Sequence, residues 1–171
     1  MKVSFLNCEL GKWDMLDATS APEALVLPFF ADERPLRGAA GLCDWRLCGR
    51  LSRMLLTEKV AGQWAETTLY PPRVGGLARL PFPRLVLFGL GESEAFNEAQ
   101  AREAAQRILE TAGRLGLKRW AVTPPGRSTG RLSARRALEL FLGESKGTVD
   151  TELVVVESAA GQKEAADLAR R

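Results

Sequence analysis

The octapeptide RLVLFGLG at residues 84–91, followed at Asn97 by an alanine-rich amphipathic stretch, constrains this chain more than any other segment. Leu85 to Leu90 reads as a buried strand, and ALVLPFF at 24–30, without polar alternation, predicts a strand covered on both faces and therefore a sheet with helices on either side. Gly89 and Gly91 then supply a tight turn. Asn97 is a helix cap with Gln100 three residues on, the spacing of a capping box. Beyond it Ala101, Ala104, Ala105, Ile108, Leu109, Ala112 and Leu115 form one apolar stripe, and Gly113 and Gly116 end the helix. Strand, glycine turn and crossover helix make one α/β unit.

The same grammar recurs along the chain. Residues 3–6 and the run ALVLPFF at 24–30 predict strands, and residues 67–70 a short one. Leu47, Leu51, Met54 and Leu55 predict a helix from Gly38 to about Lys59, with Arg46, Arg50 and Arg53 on another face, as a solvated basic face or a stripe for a partner. Residues 71–83, rich in Pro and Gly, read as a surface loop. After Trp120 to Thr123 come a helix from Ser133 to Leu142 closed by Gly143, a strand from Glu152 to Val156 and a last helix near 161–170. These elements predict one domain over residues 1–171, a three-layer α/β/α sandwich. Its central sheet is mixed and mostly parallel, because the short link from the strand at 67–70 to that at 85–90 suits an antiparallel pair.

Composition narrows the chemistry. A net charge of +3 over 171 residues demands neither nucleic acid nor an anionic membrane as partner. No apolar run approaches the roughly 20 residues of a membrane span, and Glu9 and Lys12 interrupt the place of a signal-peptide core, so a cytoplasmic location is expected. Cys8, Cys43 and Cys48 are too few and too unevenly spaced for a disulfide framework or a metal knuckle and are expected to be buried thiols. The chain has no histidine, which removes Ser-His-Asp and Cys-His machinery and the commonest zinc ligand. Asp14 with Asp17, and Asp32 with Glu33, lack a third ligand at a useful spacing and read as turn formers. Neither Lys59 nor Cys43 has a sequence partner that marks it as an activated nucleophile. The expectation is a non-catalytic domain with no metal and no cofactor.

Two loops could hold a ligand. Gly89 and Gly91 follow a strand, where backbone approaches a ligand closely, although Glu92 and Glu94 would repel a pyrophosphate. The second loop, PPGRSTGR at 124–131, follows a strand and leads into a helix. It offers Gly126, Arg127, Ser128, Thr129, Gly130 and Arg131, without the spacing of a P-loop. Between Arg114 and Arg136 lie Lys118, Arg119, Arg127, Arg131 and Arg135 and no acidic residue, a run that could hold phosphate or nucleic acid or could simply be solvated.

The ordered pieces ALVLPFF, the Leu-Cys-Asp stretch running into GRLSRMLL, GQWAETTLYPP and RLVLFGLG with its alanine-rich helix resemble the N-terminal domain of the leucyl (cytosol) aminopeptidases, over roughly residues 20–125. The resemblance implies a macro-domain-like fold. In that family the two-metal peptidase centre lies in a separate C-terminal domain with an NTDAEGRL motif, of which RSTGRL at 127–132 shares only Gly130, Arg131 and Leu132. The family's N-terminal domain contributes to oligomer contacts, and some bacterial members bind DNA. The resemblance therefore implies a stand-alone domain working through self-association or contacts with a peptidase-related protein. The alternatives are a module binding ADP-ribose, a nucleotide or another phosphate ligand, and nucleic-acid binding through the basic run from Arg114 to Arg136.

Overall fold

The computed structural model describes residues 1–145 and 150–170. In chain order the elements are β1 (Lys2–Asn7), α1 (Leu10–Trp13), β2 (Leu25–Phe29), α2 (Gly38–Arg46), α3 (Arg50–Leu56), β3 (Thr67–Tyr70), β4 (Arg73–Val74), β5 (Leu77–Ala78) and β6 (Leu85–Gly89). There follow α4 (Glu98–Arg114), β7 (Arg119–Val122), α5 (Ala134–Glu144), β8 (Glu152–Glu157) and α6 (Ala159–Ala165). The main sheet has six strands in the order β1-β8-β7-β2-β6-β3. Five are parallel, and β3 runs antiparallel to β6, as the short link between them predicts. The mixed, mostly parallel sheet is thus the expected one.

Strand alternation divides the core into two halves. Leu25, Leu27, Phe29, Leu85 and Leu87 face α1, α2 and α3, where they meet Trp13, Cys43, Leu47, Leu51 and Leu55. Val26, Val86, Phe88, Trp120, Val122, Leu153 and Val155 face α4 and α5 across the sheet, against Ala104, Ala105, Ile108, Leu138 and Phe141. β2, β6 and β8 are apolar on both faces because both faces are covered. The alanine stripe of α4 lets that helix lie close to the sheet, and Asn97 caps it by accepting from the amides of Ala99 and Gln100 in a full capping box.

The strands shift from the expected bounds by a residue or so, and the helices differ more. The helix expected from Gly38 to Lys59 is two, broken where Cys48 (φ 56°) and Gly49 (φ 75°) enter the left-handed region. Asp44 bridges the break by accepting from Ser52 N at 3.0 Å and Ser52 Oγ at 2.5 Å. The last helix is shorter than expected: α6 ends at Ala165, and a separate 3-10 turn covers Leu168–Arg170. α5 runs past Gly143 to Glu144. Residues 71–83 are only partly loop: β4 and β5 form a small hairpin, while Leu80 and Phe82 are buried, Phe82 edge-on to Trp13. Of the three thiols only Cys43 is buried. Cys8 is half-buried and Cys48 exposed, because the left-handed turn at residue 48 points outward.

Candidate functional site

In a parallel sheet the strand ends of one polarity, and the loops after them, gather along one edge. Here that edge collects Cys8 after β1, residues 30–37 after β2, residues 90–96 after β6, residues 123–131 after β7 and Ser158 after β8. Two neighbouring hollows open there. One, of about 280 Å³, is lined by Asp32, Glu33, Arg34, Arg37, Ser93, Thr129 and Arg131. The other, of about 240 Å³, is lined by Gly38, Ala39, Thr123, Arg127, Ser128 and Glu157 among others. Between them Gly38 and Ser128 adjoin, a Cβ on Gly38 lying 3.5 Å from that of Ser128.

Glu33, a turn former by sequence, is in fact a buried strut. Its side chain accepts from Arg37 N at 2.9 Å through Oε1 and from Phe30 N at 3.2 Å and Ser128 Oγ at 3.5 Å through Oε2. One carboxylate thus joins the loop after β2, the entrance to α2 and the loop after β7. Burial raises its pKa above the ordinary glutamate value, against the opposing hydrogen bonds from the amides of Arg37 and Phe30. Asp32 points outward and accepts from Ser93 Oγ at 2.5 Å and Ser93 N at 2.9 Å. The Ser93 hydroxyl, first, holds its pKa below the usual carboxylate range.

On the other side of the cleft Glu157 is 6% exposed and is gripped by Arg127. It also accepts from Ser158 N at 2.7 Å and Ser158 Oγ at 3.0 Å. Burial first, then the Glu157 carboxylate, pushes the neighbouring Cys8 thiol up to about 11, so Cys8 is a neutral wall residue at neutral pH. Among the described residues, two polar atoms in the lining lack a protein partner: the buried hydroxyls of Thr123 and Thr129. The N-terminus of α2, where Gly38 and Ala39 meet the cleft, has no side-chain cap. Uncapped first-turn amides and unpartnered hydroxyls are donors that a bound acceptor can satisfy.

The residues singled out in the sequence separate into two groups. Arg127, Ser128, Thr129 and Arg131 line the cleft, and Gly126 and Gly130 give their loop its positive-φ turns. Gly126 also sits against Phe96, whose ring packs edge-on to Phe30. Gly89 and Gly91 face elsewhere. Residues 62–66 run across them: Ala65 N donates to Gly89 O, Gly89 N to Glu66 O and Gly91 N to Gly62 O. A Cβ on Gly89 would collide with the carbonyl of Gln63, so its missing side chain serves the chain's own packing. The two loops still meet, through Ser93 and Arg131 at 3.5 Å.

The basic run is largely neutralised. Arg119 pairs with Glu152 and also donates to the carbonyl of Ser20, Arg127 pairs with Glu157, Arg135 with Asp167 and Glu139, and Arg136 with Glu98 and Glu139. Among the described residues there is no cluster of three or more Cys, Asp or Glu side chains able to hold a metal ion, and no helix is long and apolar enough to cross a membrane. Nothing local in the sequence marks Glu33 and Glu157 as cleft-lining carboxylates, because their partners are backbone amides and an arginine 30 residues away.

Residues 26–144, well over half of the chain, match the cytosol aminopeptidase family, N-terminal domain. A probable cytosol aminopeptidase of Alkaliphilus metalliredigens is 28% identical over 104 residues, 61% of this chain and 20% of that protein. The chain therefore spans about a fifth of the length of the curated relatives it matches. Among solved structures, the Trypanosoma brucei macrodomain in complex with ADP-ribose superposes with a TM-score of 0.67 at 16% identity, covering 97% of this chain and 68% of that one. A tomato leucine aminopeptidase mutant superposes with a TM-score of 0.59 at 14% identity, covering 99% and 35%. The chain belongs to the N-terminal domain of the cytosol aminopeptidase family, and its fold is macrodomain-like.

Proposed function

We propose that in this member of the cytosol aminopeptidase N-terminal-domain family the cleft at the strand ends is a binding site, not a catalytic one, for a phosphate-bearing ligand of the ADP-ribose type. The observation that carries this reading is the buried, unpartnered hydroxyl of Thr123, lining the same hollow as Ser128 and the uncapped start of α2. Phosphate oxygens suit a helix N-terminus flanked by hydroxyls. Arg34, Arg37 and Arg131 add positive charge in the neighbouring hollow, while the outward Asp32 offers an acceptor to ribose hydroxyls or a base amino group. In this reading Gly126, Arg127, Ser128, Thr129, Gly130 and Arg131 form the ligand-contacting loop, while Gly89 and Gly91, packed against residues 62–66, stay outside the contact. The ADP-ribose bound by the trypanosomal macrodomain supports the ligand class by analogy of fold. A thermal-shift series with ADP-ribose, ADP and inorganic phosphate tests it: ligand at a hundred times its Kd adds about 2.7 kcal/mol to stability. An unmoved melting temperature at millimolar ligand would contradict it.

A second reading is favoured by a separate observation: the match covers only the N-terminal fifth of full-length relatives. Here the domain assembles with, or regulates, a peptidase-related protein through surface contacts. Its test is to add the purified chain to the metallopeptidase portion of a cytosol aminopeptidase and follow particle mass and leucyl-peptide hydrolysis. Unchanged mass and rate would argue against it. Nucleic-acid binding along the run from Arg114 to Arg136 draws less support, since Arg119, Arg127, Arg135 and Arg136 already face carboxylates.

A further inference from the structure

The two helical layers present different outer surfaces. The α4/α5 layer is built for water: ion pairs Arg107–Glu103, Arg102–Glu144, Arg136–Glu98 and Arg135–Asp167 lace it, and among the described residues no exposed large apolar side chain lies on it. The α1–α3 layer is the reverse. Met15, Trp45 and Leu56, at 76%, 72% and 79% exposure, stand on it or directly beside it. Arg50 and Arg53 stand there too, without an ion pair or hydrogen bond from either side chain among the described residues.

Side-chain bonds tie together the elements that carry these residues. Arg50, Arg53 and Leu56 recur at i, i+3 and i+6 on α3, outward from the buried Leu51 and Leu55. Asp44 ties the last turn of α2, which carries Trp45, to Ser52 on α3. A bidentate pair, Arg46 Nη1 and Nη2 to Asp14 Oδ1 and Oδ2 at 2.9 Å each, holds Met15 near the same turn. An indole buries roughly 150–250 Å² when covered, and apolar side chains ringed by cations are the anatomy of an interface centre with a charged rim.

We infer that this face docks a segment of a different protein that carries an apolar centre flanked by carboxylates. Charge complementarity sets the occupant. Among the described residues Arg50 and Arg53 have no acidic partner, and Glu58, just past the end of α3, is exposed and not paired with either. A two-fold contact of the face with itself would bring these cations together, which disfavours a second copy. The inference rests on the reading of the domain as an assembly module and gives that module its surface and the chemistry of its partner.

The test uses the full chain and two fluorescent 18-residue helical peptides, with leucine and tryptophan on one face and either glutamate or lysine flanking them. Anisotropy is expected to show saturable binding of the glutamate peptide, weakened at least tenfold by Trp45→Ala or Leu56→Ser. Arg50→Glu with Arg53→Glu should transfer the preference to the lysine peptide, a charge swap that unfolding cannot mimic. Equal binding of both peptides by the unaltered chain, no binding of the glutamate peptide, or indifference to the charge reversal would overturn it. So would self-association in sedimentation that Trp45→Ala abolishes, which would make the occupant a second copy. Peptide binding without any effect on a metallopeptidase would remove the assembly reading and leave the surface. An effect on the metallopeptidase that survives Trp45→Ala and the charge reversal would do the opposite.

Discussion

Arg127 grips Glu157 in a bidentate pair, Nε to Oε2 at 2.6 Å and Nη2 to Oε1 at 3.1 Å, and so staples the loop after β7 to the end of β8. The carboxylate is buried while the guanidinium is about a quarter exposed, so the arginine both neutralises Glu157 and keeps an edge toward the cleft. Removing the arginine strands a buried charge, although Ser158 N and Oγ still donate to it. Arg127→Ala is expected to cost about 2 kcal/mol. A lowered urea midpoint at constant m-value would show it; an unchanged midpoint would mean the pair contributes nothing net.

The two glycines after β6 should respond differently to a methyl group. Gly89→Ala drives a Cβ into the Gln63 carbonyl, and relief requires residues 62–66 to move, a cost of about 2–3 kcal/mol. Gly91→Ala has room, with Trp64 Cβ at 3.7 Å, and loses only its left-handed preference at φ 70°, about 1 kcal/mol. Thermal melts of both variants check the ordering. Equal losses would show that close packing at Gly89 is not what sets its cost.

Glu33 gives a pH dependence of definite sign. Its folded pKa lies above the ordinary value of 4.5, so its native form takes up a proton more readily than the unfolded chain. Its contribution is therefore most favourable below about pH 4.5 and falls as pH rises through the raised native value. Glu33→Gln cannot ionise. The stability difference between the natural chain and Glu33→Gln, from denaturant titrations at pH 4 to 8, should move toward the variant as pH rises. A difference that is flat, or moves the other way, would contradict a raised pKa.

The sequence carried the architecture better than the site, for a physical reason. β2, β6 and β8 are continuous apolar runs, and α4 has an alanine stripe behind a capping box, all local signals. The break between α2 and α3 hides behind Leu47, Leu51 and Leu55, which keep a helical spacing across it because all three face the same core. Glu33 and Glu157 look like solvated charges in the sequence. Their burial is decided by folding partners, the amides of Phe30 and Arg37 for one and the guanidinium of Arg127 for the other. Gly89 resembles a ligand-loop glycine until residues 62–66 are laid across it.

The Thr123 hydroxyl separates stability from binding. It is buried and has no protein partner, so replacing it by a methyl removes a desolvated polar group. Thr123→Val is expected to leave stability unchanged or raise it by about 1 kcal/mol. A loss of more than that in a thermal melt would show that the hydroxyl is already satisfied in the free protein.

Titration calorimetry with ADP-ribose on the natural chain and on Thr123→Val, side by side, tests whether the cleft at the strand ends binds this ligand. One site per chain is expected, with affinity reduced about tenfold or more in a variant that melts no lower than the natural protein. Absence of heat with the natural chain at millimolar ADP-ribose, or binding that Thr123→Val leaves intact, would contradict the assignment of the cleft.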